Sequence, residues 1–435
     1  MNADVFVAIG RGGLGVAVLV GLASLLSSDR KSISWRLVGS GLLLQLLLAF
    51  LVLKVPVAQS AVGWMSNRIV DLLGFSEAGA GFVFGDLAQE LNFGLAFKVL
   101  PVIIFFSALS SVLYYLGILQ WIVYGFAWCL NRVMRLSGAE SLAAAANVFV
   151  GQTEAPLLVK PFIERMTRSE LMALMTGGMA TIAGSVMGVY IDILGGGDLE
   201  SKRQFGQLLI CASIMNAPAA LLIAKILLPQ TEEVSSGMEL SNEGRATNLL
   251  DSLARGTTDG LMLALNVAAM LIVFVAFIAM INGLLGWVGA ITPLGAWVNQ
   301  LSGGVFPELS LQGILGFAFA PIAWIIGVEM GDLLQMGQLL GQKIVLNEFI
   351  AFQNLAEFKG IEGALSPRTV FLATFALCGF ANFGSIGIQL GGIGVLAPGQ
   401  KKNLAQLAMK AMIGGAMASL LTTSMAGMFY AGNTP

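Results

Sequence analysis

A polar stretch interrupts apolar sequence at residues 151–156, which read Gly-Gln-Thr-Glu-Ala-Pro. The apolar runs on either side, 142–150 and 155–159, are too short to cross a bilayer, which takes about 20 apolar residues. A hairpin that enters and leaves by the same side fits these lengths. A carboxylate at membrane depth costs roughly 2.5–3.5 kcal/mol, which makes Glu154 a candidate functional residue. The stretch therefore predicts a re-entrant hairpin with a polar tip.

The composition places this hairpin in a membrane protein. Hydrophobic residues make up 57% of the 435 residues and charged residues 11%, whereas a soluble domain carries about 25% charge. The net charge of −2 gives no electrostatic reason to expect nucleic acid as a partner. We therefore expect an all-α polytopic membrane protein whose surroundings are the lipid bilayer.

Eight long apolar runs predict eight transmembrane helices. Two further segments, 57–73 and 121–136, are predicted to be interfacial helices because they are amphipathic or rich in aromatic residues. The Gly-rich residues 74–95 and the polar residues 229–255 are predicted to be loops. The eight runs span residues 6–26, 37–53, 97–119, 169–194, 205–228, 260–288, 368–394 and 404–429.

A second carboxylate interrupts apolar sequence within residues 341–352, which read Gly-Gln-Lys-Ile-Val-Leu-Asn-Glu-Phe-Ile-Ala-Phe. The span that follows each polar stretch is itself interrupted, and a shift of 200 residues lays Arg168 on Arg368 and Gly184 on Gly384. Because three spans separate the two hairpins, the second unit is inverted relative to the first. The pattern predicts inverted repeats, each a re-entrant hairpin followed by a broken helix. The interruptions lie at residues 181–185 and 380–385.

The two repeats divide the chain into four expected parts. Residues 1–137 hold scaffold spans and interfacial helices, and residues 138–229 hold the first hairpin, broken helix and following span. Residues 230–308 are a loop and a scaffold span. Residues 309–435 contain the second hairpin, broken helix and last span.

Inverted repeats whose broken helices meet near the middle of the membrane are typical of secondary transporters. The chain has no histidine and no nucleotide-binding P-loop, and its three cysteines are isolated, which argues against an enzyme and against an ATP-driven pump. A channel stays open as an alternative, since polar hairpin tips also build selectivity filters.

Three stretches resemble motifs of the concentrative nucleoside transporter family. Residues 151–156 are similar to its first-hairpin motif, and residues 341–352 are similar to its signature G-x-K-x-x-x-N-E-F-x-A-Y/F. Residues 379–387 resemble its late broken helix. The motifs follow one another in the expected order, with departures at Ile350, where Val is usual, and at Thr181, where a Ser can stand.

The resemblance implies a homotrimer in the bacterial inner membrane that imports nucleosides such as uridine by sodium symport. It also implies an elevator-type movement, in which hairpins and broken helices move against a trimeric scaffold. In this picture three residues face the nucleobase, three hold the ribose and two pack against the nucleoside. These are Gln152, Thr153 and Glu154 for the base, Glu348, Asn382 and Ser385 for the ribose, and Val186 and Phe380 for packing.

The sodium ion implied by the resemblance would lie beside the first hairpin tip. Its ligands would be side-chain oxygens of Asn147 and Thr181 and the main-chain carbonyls of Val150 and Ile182. A proton-coupled symporter on the same scaffold is the alternative, with Glu154 or Glu348 as the titrating group. Asn147 and Thr181 favour sodium, because a site for protons alone would not need them.

Overall fold

The computed structural model describes residues 3–88, 95–232, 234 and 246–430. Within these residues the chain forms helices and no strand, which confirms the all-α class. The α-helices of the described residues are α1 (Ala3–Leu25), α2 (Trp35–Lys54), α3 (Pro56–Phe84), α4 (Leu100–Tyr115), α5 (Ile118–Met134), α6 (Gly138–Ala146), α7 (Ala155–Leu158), α8 (Lys160–Ile163), α9 (Arg168–Ala180), α10 (Gly184–Gly195), α11 (Leu199–Leu227), α12 (Leu249–Ile291), α13 (Leu294–Leu301), α14 (Leu311–Ile325), α15 (Leu333–Val345), α16 (Glu348–Gly360), α17 (Pro367–Leu377), α18 (Phe383–Leu396) and α19 (Lys401–Met428).

Six helical stretches of the described chain are long and apolar enough to cross a bilayer, and a seventh is added if α4 and α5 count as one. These two helices are bent by 78° at their junction, which separates the expected interfacial segment from the span before it. Burial shows which spans are central, because 94% of the apolar window of α11 is buried and only 11% of that of α12. The total of eight spans stays a prediction.

Two predicted loops are partly wrong. Helix α3 continues to Phe84, so residues 74–84 are helical despite their glycines, each of which costs about 1 kcal/mol in a helix interior. In apolar surroundings an irregular loop would leave backbone N–H and C=O groups unpaired, at several kcal/mol for each group, which outweighs this cost and favours the helix. Helix α12 begins at Leu249, inside the predicted loop, because the Asn248 side chain accepts a hydrogen bond from the backbone N–H of the first turn. Residues 89–94, 233 and 235–245 of these loops lie outside the described residues.

Helices α4 and α12 cross at close range through two glycines. A Cβ atom placed on Gly260 would lie 2.8 Å from the Cα of Ile104, and one on Gly256 would lie 2.8 Å from the Cα of Ala108. The spacing Gly-x-x-x-Gly permits such approaches between membrane helices. Most other residues of α12 are exposed, so this helix is held mainly by its contact with α4.

Two copies of one unit are visible, each a helical hairpin followed by a broken helix. Helices α6 and α7 form the first hairpin with α9 and α10 after it, and α15 and α16 form the second with α17 and α18. Residues that cap equivalent helices in the two repeats are 199 positions apart, and this pairing is called the cap register below. The shift of 200 residues expected from the sequence is therefore wrong by one position. The matched caps are Thr167 with Ser366, Ala183 with Asn382, and Asn147 with Leu346.

Candidate functional site

The breaks in the two broken helices lie against each other in the protein core. Asn216 on α11 is fully buried, and its Nδ2 donates to the carbonyl of Ala180 at 2.7 Å and to that of Cys378 at 2.9 Å. The backbone N–H of Phe380 donates to the carbonyl of Thr181 at 3.3 Å. Carbonyls freed by the two breaks are thus paired across the repeats, as buried backbone groups require.

The tip of the first hairpin lies on the first break. The backbone N–H of Gly184 donates to the carbonyl of Phe149 at 3.1 Å. A Cβ atom placed on Gly151 would lie 3.3 Å from that of Ala183, so the two backbones are in close contact. Pro156 stands in the first turn of α7, where its missing N–H removes no helical hydrogen bond. The tip expected from the sequence is therefore placed beside the break expected from the sequence.

Asn147 is one of the buried polar residues of this region whose side chains have unsatisfied atoms in the described part of the chain. Its side chain is 1% exposed, and neither Oδ1 nor Nδ2 has a hydrogen-bond partner among the described residues. Gly177 is its neighbour on α9, since a Cβ placed there would lie 3.3 Å from Asn147 Nδ2. Native proteins rarely leave a buried amide unpaired. Asn147 is the C-cap residue of the hairpin helix α6, and an amide oxygen at the carboxyl end of a helix fits a monovalent cation.

The other three residues expected at the sodium site are also buried here. Thr181 is 2% exposed, and its hydroxyl donates to the carbonyl of Gly177 at 3.0 Å. Val150 is 6% exposed and Ile182 is fully buried. The hairpin end and the first break thus bring all four residues into one enclosed region, and their oxygen atoms are of the kind that the sodium ion implied by the resemblance would need.

Glu348 is the centre of a second polar group. Its Oε1 accepts from the hydroxyl of Tyr190 at 2.8 Å, and its Oε2 accepts from Nδ2 of Asn382 at 2.8 Å. The oxygen of Asn382 in turn accepts from the backbone N–H of Ser385 at 2.8 Å and caps α18. Glu348 is the first residue of α16, where the helix dipole favours a negative charge. Two of the residues expected to hold ribose are therefore joined directly.

Gln152 connects the first hairpin tip to α18. Its Nε2 lies 3.1 Å from Oγ of Ser385, and its Oε1 accepts from Nε2 of Gln389 at 3.1 Å. Gln389 also donates to the carbonyl of Met175, while its Oε1 has no partner among the described residues. Gln152, one of the three predicted base-binding residues, thus belongs to the same hydrogen-bonded network as the predicted ribose-binding residues.

The remaining predicted residues surround this network. Thr153 is exposed and Glu154 is half-buried, with a carboxylate that accepts from the backbone N–H of Gly151 at 3.3 Å. Val186 is 6% exposed in the first turn of α10, and Phe380 is half-buried in the second break. Thr153 and Glu154 take no part in the bonds that join Gln152 to α18.

Tyr190 and Gln389 were not predicted from the sequence. They occupy equivalent positions in the cap register, and each bonds to the hairpin of the other repeat. The signal that could have found them is their polarity at the same place in two apolar half-helices. Asn216 was also missed, because a single amide on a long span gives no pattern.

Three family models match the chain. The model described as Na+ dependent nucleoside transporter C-terminus matches residues 208–427, and the N-terminus model of the same name matches residues 14–87. A model described as Nucleoside recognition matches residues 96–197. Together they cover the hairpins, the broken helices and most of the scaffold.

Known proteins resemble the chain over nearly all of its length. A Haemophilus influenzae protein described as an uncharacterized transporter is 44% identical, with 96% of each chain covered. Sodium/nucleoside cotransporter 1 of Homo sapiens is 39% identical over 96% of this chain, which spans 63% of that longer protein.

Solved structures agree with these sequence matches. The structure of CNTnw in an inward-facing substrate-bound state is 41% identical, with a TM-score of 0.87 and coverage of 97% of this chain and 98% of that one. A variant of CNTnw in an outward-facing state gives a TM-score of 0.86. The relatives are transporters rather than enzymes. Residues 14–87 and 208–427 match the N-terminal and C-terminal models of one transporter family. The chain belongs to the Na+ dependent nucleoside transporter family.

Proposed function

We propose that the chain imports nucleosides across a bacterial inner membrane by sodium symport. The observation that carries the sodium assignment is the buried side chain of Asn147, whose oxygen has no partner among the described residues. A sodium ion held there with Thr181, Val150 and Ile182 would satisfy that oxygen and would neutralise the carbonyl end of α9. When bound, the ion supplies a positive charge beside the hairpin tip that carries Glu154.

The nucleoside would bind where the first hairpin tip meets α18. Glu348 and Asn382 offer an anion and an amide to ribose hydroxyls, with Ser385 beside them, while Gln152, Thr153 and Glu154 face the base. Val186 and Phe380 supply apolar surface next to this network. A site built to pair a hydroxyl can reject a compound lacking it by roughly 10⁴-fold, so free nucleobases should compete weakly. Two carboxylates should also repel a 5′-phosphate.

The moving and fixed parts follow the repeats. Residues 138–229 and 309–435, with both hairpins and both breaks, would form the transport domain, and residues 1–137 and 230–308 would form the scaffold.

Exposed apolar side chains on α12, such as Ile272 at 72% and Val275 at 56%, offer a surface for subunit contacts in a homotrimer. Native mass spectrometry of the purified protein tests this assembly, and a monomer would refute it.

Proton symport is the second candidate. Glu154 favours it, because a half-buried carboxylate at a hairpin tip can exchange a proton with water as the substrate binds. Glu348 is the other carboxylate that could titrate. In that case Asn147 and Thr181 would have no ion to bind.

Uptake of radiolabelled uridine into proteoliposomes separates these candidates. The purified protein is tested under an imposed sodium gradient or an imposed proton gradient, together with Glu154→Gln. Glu164→Gln is the matched control, since Glu164 belongs to the same hairpin but is exposed and accepts from the backbone N–H of Gly399. We expect uphill uptake with sodium alone.

The outcomes lead to different conclusions. Uptake with protons alone, abolished by Glu154→Gln but not by Glu164→Gln, would show that uptake is coupled to a proton on Glu154 and not to sodium. Uptake with neither gradient would refute nucleoside symport. Strong inhibition by free uracil or by uridine monophosphate would contradict the assignment of the ribose residues.

A further inference from the structure

Gln389 is a buried amide on α18 that bonds to one of the proposed base-binding residues. Its side chain is 1% exposed. Its Nε2 donates to Oε1 of Gln152 at 3.1 Å and to the main-chain carbonyl of Met175 at 3.0 Å. An amide side chain can turn over and exchange its oxygen with its nitrogen, so its partners decide which of the two faces a given neighbour.

The carbonyl of Met175 fixes the direction of the Gln389 amide. A carbonyl oxygen only accepts hydrogen bonds, so the atom of Gln389 that faces it must be the nitrogen. The same nitrogen faces the side chain of Gln152, and an amide nitrogen only donates. The atom that Gln152 turns towards Gln389 must therefore be its oxygen.

The NH₂ group of Gln152 is consequently directed away from Gln389. It lies 3.1 Å from Oγ of Ser385. This contact alone would not fix the amide, because a hydroxyl both donates and accepts. An NH₂ group has two N–H donors, so Gln152 keeps one for a ligand after it has bonded to Ser385. Gln389 is thus the residue that decides which end of the Gln152 amide a ligand meets.

The backbone of α9 is shaped to hold both glutamines. A Cβ atom placed on Gly178 would lie 2.7 Å from Nε2 of Gln389 and 2.9 Å from Cβ of Gln152. A larger residue at this position would displace one of the two side chains. The close approach of the hairpin tip, α9 and α18 therefore depends on a glycine.

Packing alone does not call for an amide at position 389. Oε1 of Gln389 is buried without a partner among the described residues, a cost that an apolar side chain of similar size would avoid. Met175 lies inside α9, where its carbonyl is paired along the helix and has no need of a second donor. What the amide of Gln389 adds is its hydrogen bond to Gln152.

We infer that Gln389 is a positioning residue that fixes the amide of Gln152 with its NH₂ group towards the substrate. The base of a bound nucleoside is then held through an acceptor, either a carbonyl oxygen or an unprotonated ring nitrogen, and not through an N–H group. Uracil fits this requirement, since both of its exocyclic groups are carbonyls. The inference rests on the proposed nucleoside site, in which Gln152 faces the base.

A double-mutant cycle on the KM for uridine tests whether Gln389 acts through Gln152. Gln389→Met keeps an unbranched side chain but removes the donor, so that the Gln152 amide can turn over. We expect the KM of sodium-driven uridine uptake to rise about fivefold, with a nearly unchanged maximal rate. Gln152→Ala should raise the KM about tenfold, and adding Gln389→Met to it should change the KM by less than about twofold.

Gln152→Glu tests the direction of the amide. The new carboxylate can still accept from Gln389 and from Ser385, but it offers the base acceptors only. We expect the KM for uridine to rise about 30-fold, above the value for Gln152→Ala, because two acceptors then face each other. If the oxygen of Gln152 faced the base instead, Gln152→Glu would bind uridine more tightly than Gln152→Ala.

Ile393→Ala is the matched control for disturbed packing. Ile393 lies one turn further along α18 and is also 1% exposed. This variant should have a lower melting temperature in detergent, while its KM for uridine stays within about twofold of that of the unaltered protein. The rise in melting temperature on addition of uridine, measured on the same purified variants, should rank them in the same order without any transport.

Three results would overturn the inference. They are an unchanged KM in Gln389→Met, a fivefold effect of Gln389→Met that persists alongside Gln152→Ala, and tighter uridine binding by Gln152→Glu than by Gln152→Ala. If the unaltered protein neither takes up uridine with sodium nor is stabilised by it, the proposed function fails instead. The two failures are therefore distinguishable.

Discussion

The first hairpin places the neutral amide of Asn147 beside Gly177 of its broken helix, whereas the second places the ammonium of Lys343 on the carbonyl of Ala376, the residue that pairs with Gly177 in the cap register. The carboxylates of the two hairpins also differ, since the one in the second hairpin has side-chain partners and the one in the first has none of these bonds. Glu348 in the second hairpin is bonded to Tyr190 and Asn382, while Glu154 in the first accepts from backbone only. The same backbone arrangement therefore carries different side chains, a buried amide without a partner in the described part of the first repeat and a carboxylate bonded to a hydroxyl and an amide in the second.

The bases of the two hairpins also differ. In the first, Oε2 of Glu140 lies 2.6 Å from Nζ of Lys225, and both side chains are at most 4% exposed. In the second, Oδ2 of Asp332 accepts from the backbone N–H of Ser366 at 3.0 Å. The first hairpin is thus anchored by a buried ion pair and the second by a neutral donor.

The largest expected effect comes from the anchor of the first hairpin. Glu140→Gln keeps the helix cap on Ser137 but leaves Lys225 buried without its anion, which should lower the free energy of unfolding by about 3–5 kcal/mol. Thermal unfolding in detergent measures this loss. Asp332→Asn, at the base of the second hairpin, should cost about 1 kcal/mol, because its donor is neutral. Equal losses would remove the difference between the two anchors.

A smaller effect, on transport, is expected from the carboxylate of the second hairpin. Glu348→Gln offers an NH₂ group to one of two donors and should reduce uridine uptake by about 10- to 100-fold, which is about 1.5–3 kcal/mol. Tyr190→Phe removes one donor and should cost only about fivefold. Initial uptake rates over a range of uridine concentrations give both values. Uptake by Glu348→Gln within twofold of the unaltered protein would assign the ribose to other residues.

The smallest expected effect concerns the ion alone. Asn147→Ala should raise the sodium concentration for half-maximal uptake about tenfold, because it removes one oxygen ligand. Uridine affinity at saturating sodium should stay nearly unchanged. Ser141→Ala is the control, since Ser141 lies on the same helix and its hydroxyl is also buried without a partner in the described part. A similar rise in both variants would indicate a packing effect instead of a ligand.

Polar residues in apolar surroundings were the most informative part of the sequence. They predicted both hairpin ends and both breaks, since a carboxylate or a glycine-rich interruption at membrane depth has few structural explanations. Long apolar runs predicted the spans, with α11 at residues 199–227 against a predicted run of 205–228. Composition failed at the end of α3, where the glycine-rich residues 74–84 are helical because a helix pairs the backbone groups that an irregular loop would leave unpaired in apolar surroundings.

Pairings across the repeats could not be derived from the sequence. Tyr190 and Glu348 are 158 positions apart, and Gln389 and Gln152 are 237 apart. No local pattern encodes such distances. The cap register of 199 positions is visible only in the helix ends of the structure. In the sequence, identical residues such as Gly184 and Gly384 align at a shift of 200 and so conceal it. The roles of the predicted substrate and ion residues stay predictions until the variants above are measured.

Asn216 has a consequence for leakage. Its amide holds the carbonyls of Ala180 and Cys378 together, so neither repeat can rearrange its break without losing a bond that the other repeat shares. If the break of one repeat moved while the break of the other stayed in place, Asn216 would lose one of its two hydrogen bonds. An unpaired buried carbonyl costs about 1–3 kcal/mol. In the proposed symport, Asn216 would therefore oppose slippage, the passage of one solute without the other, although its side chain need touch neither solute.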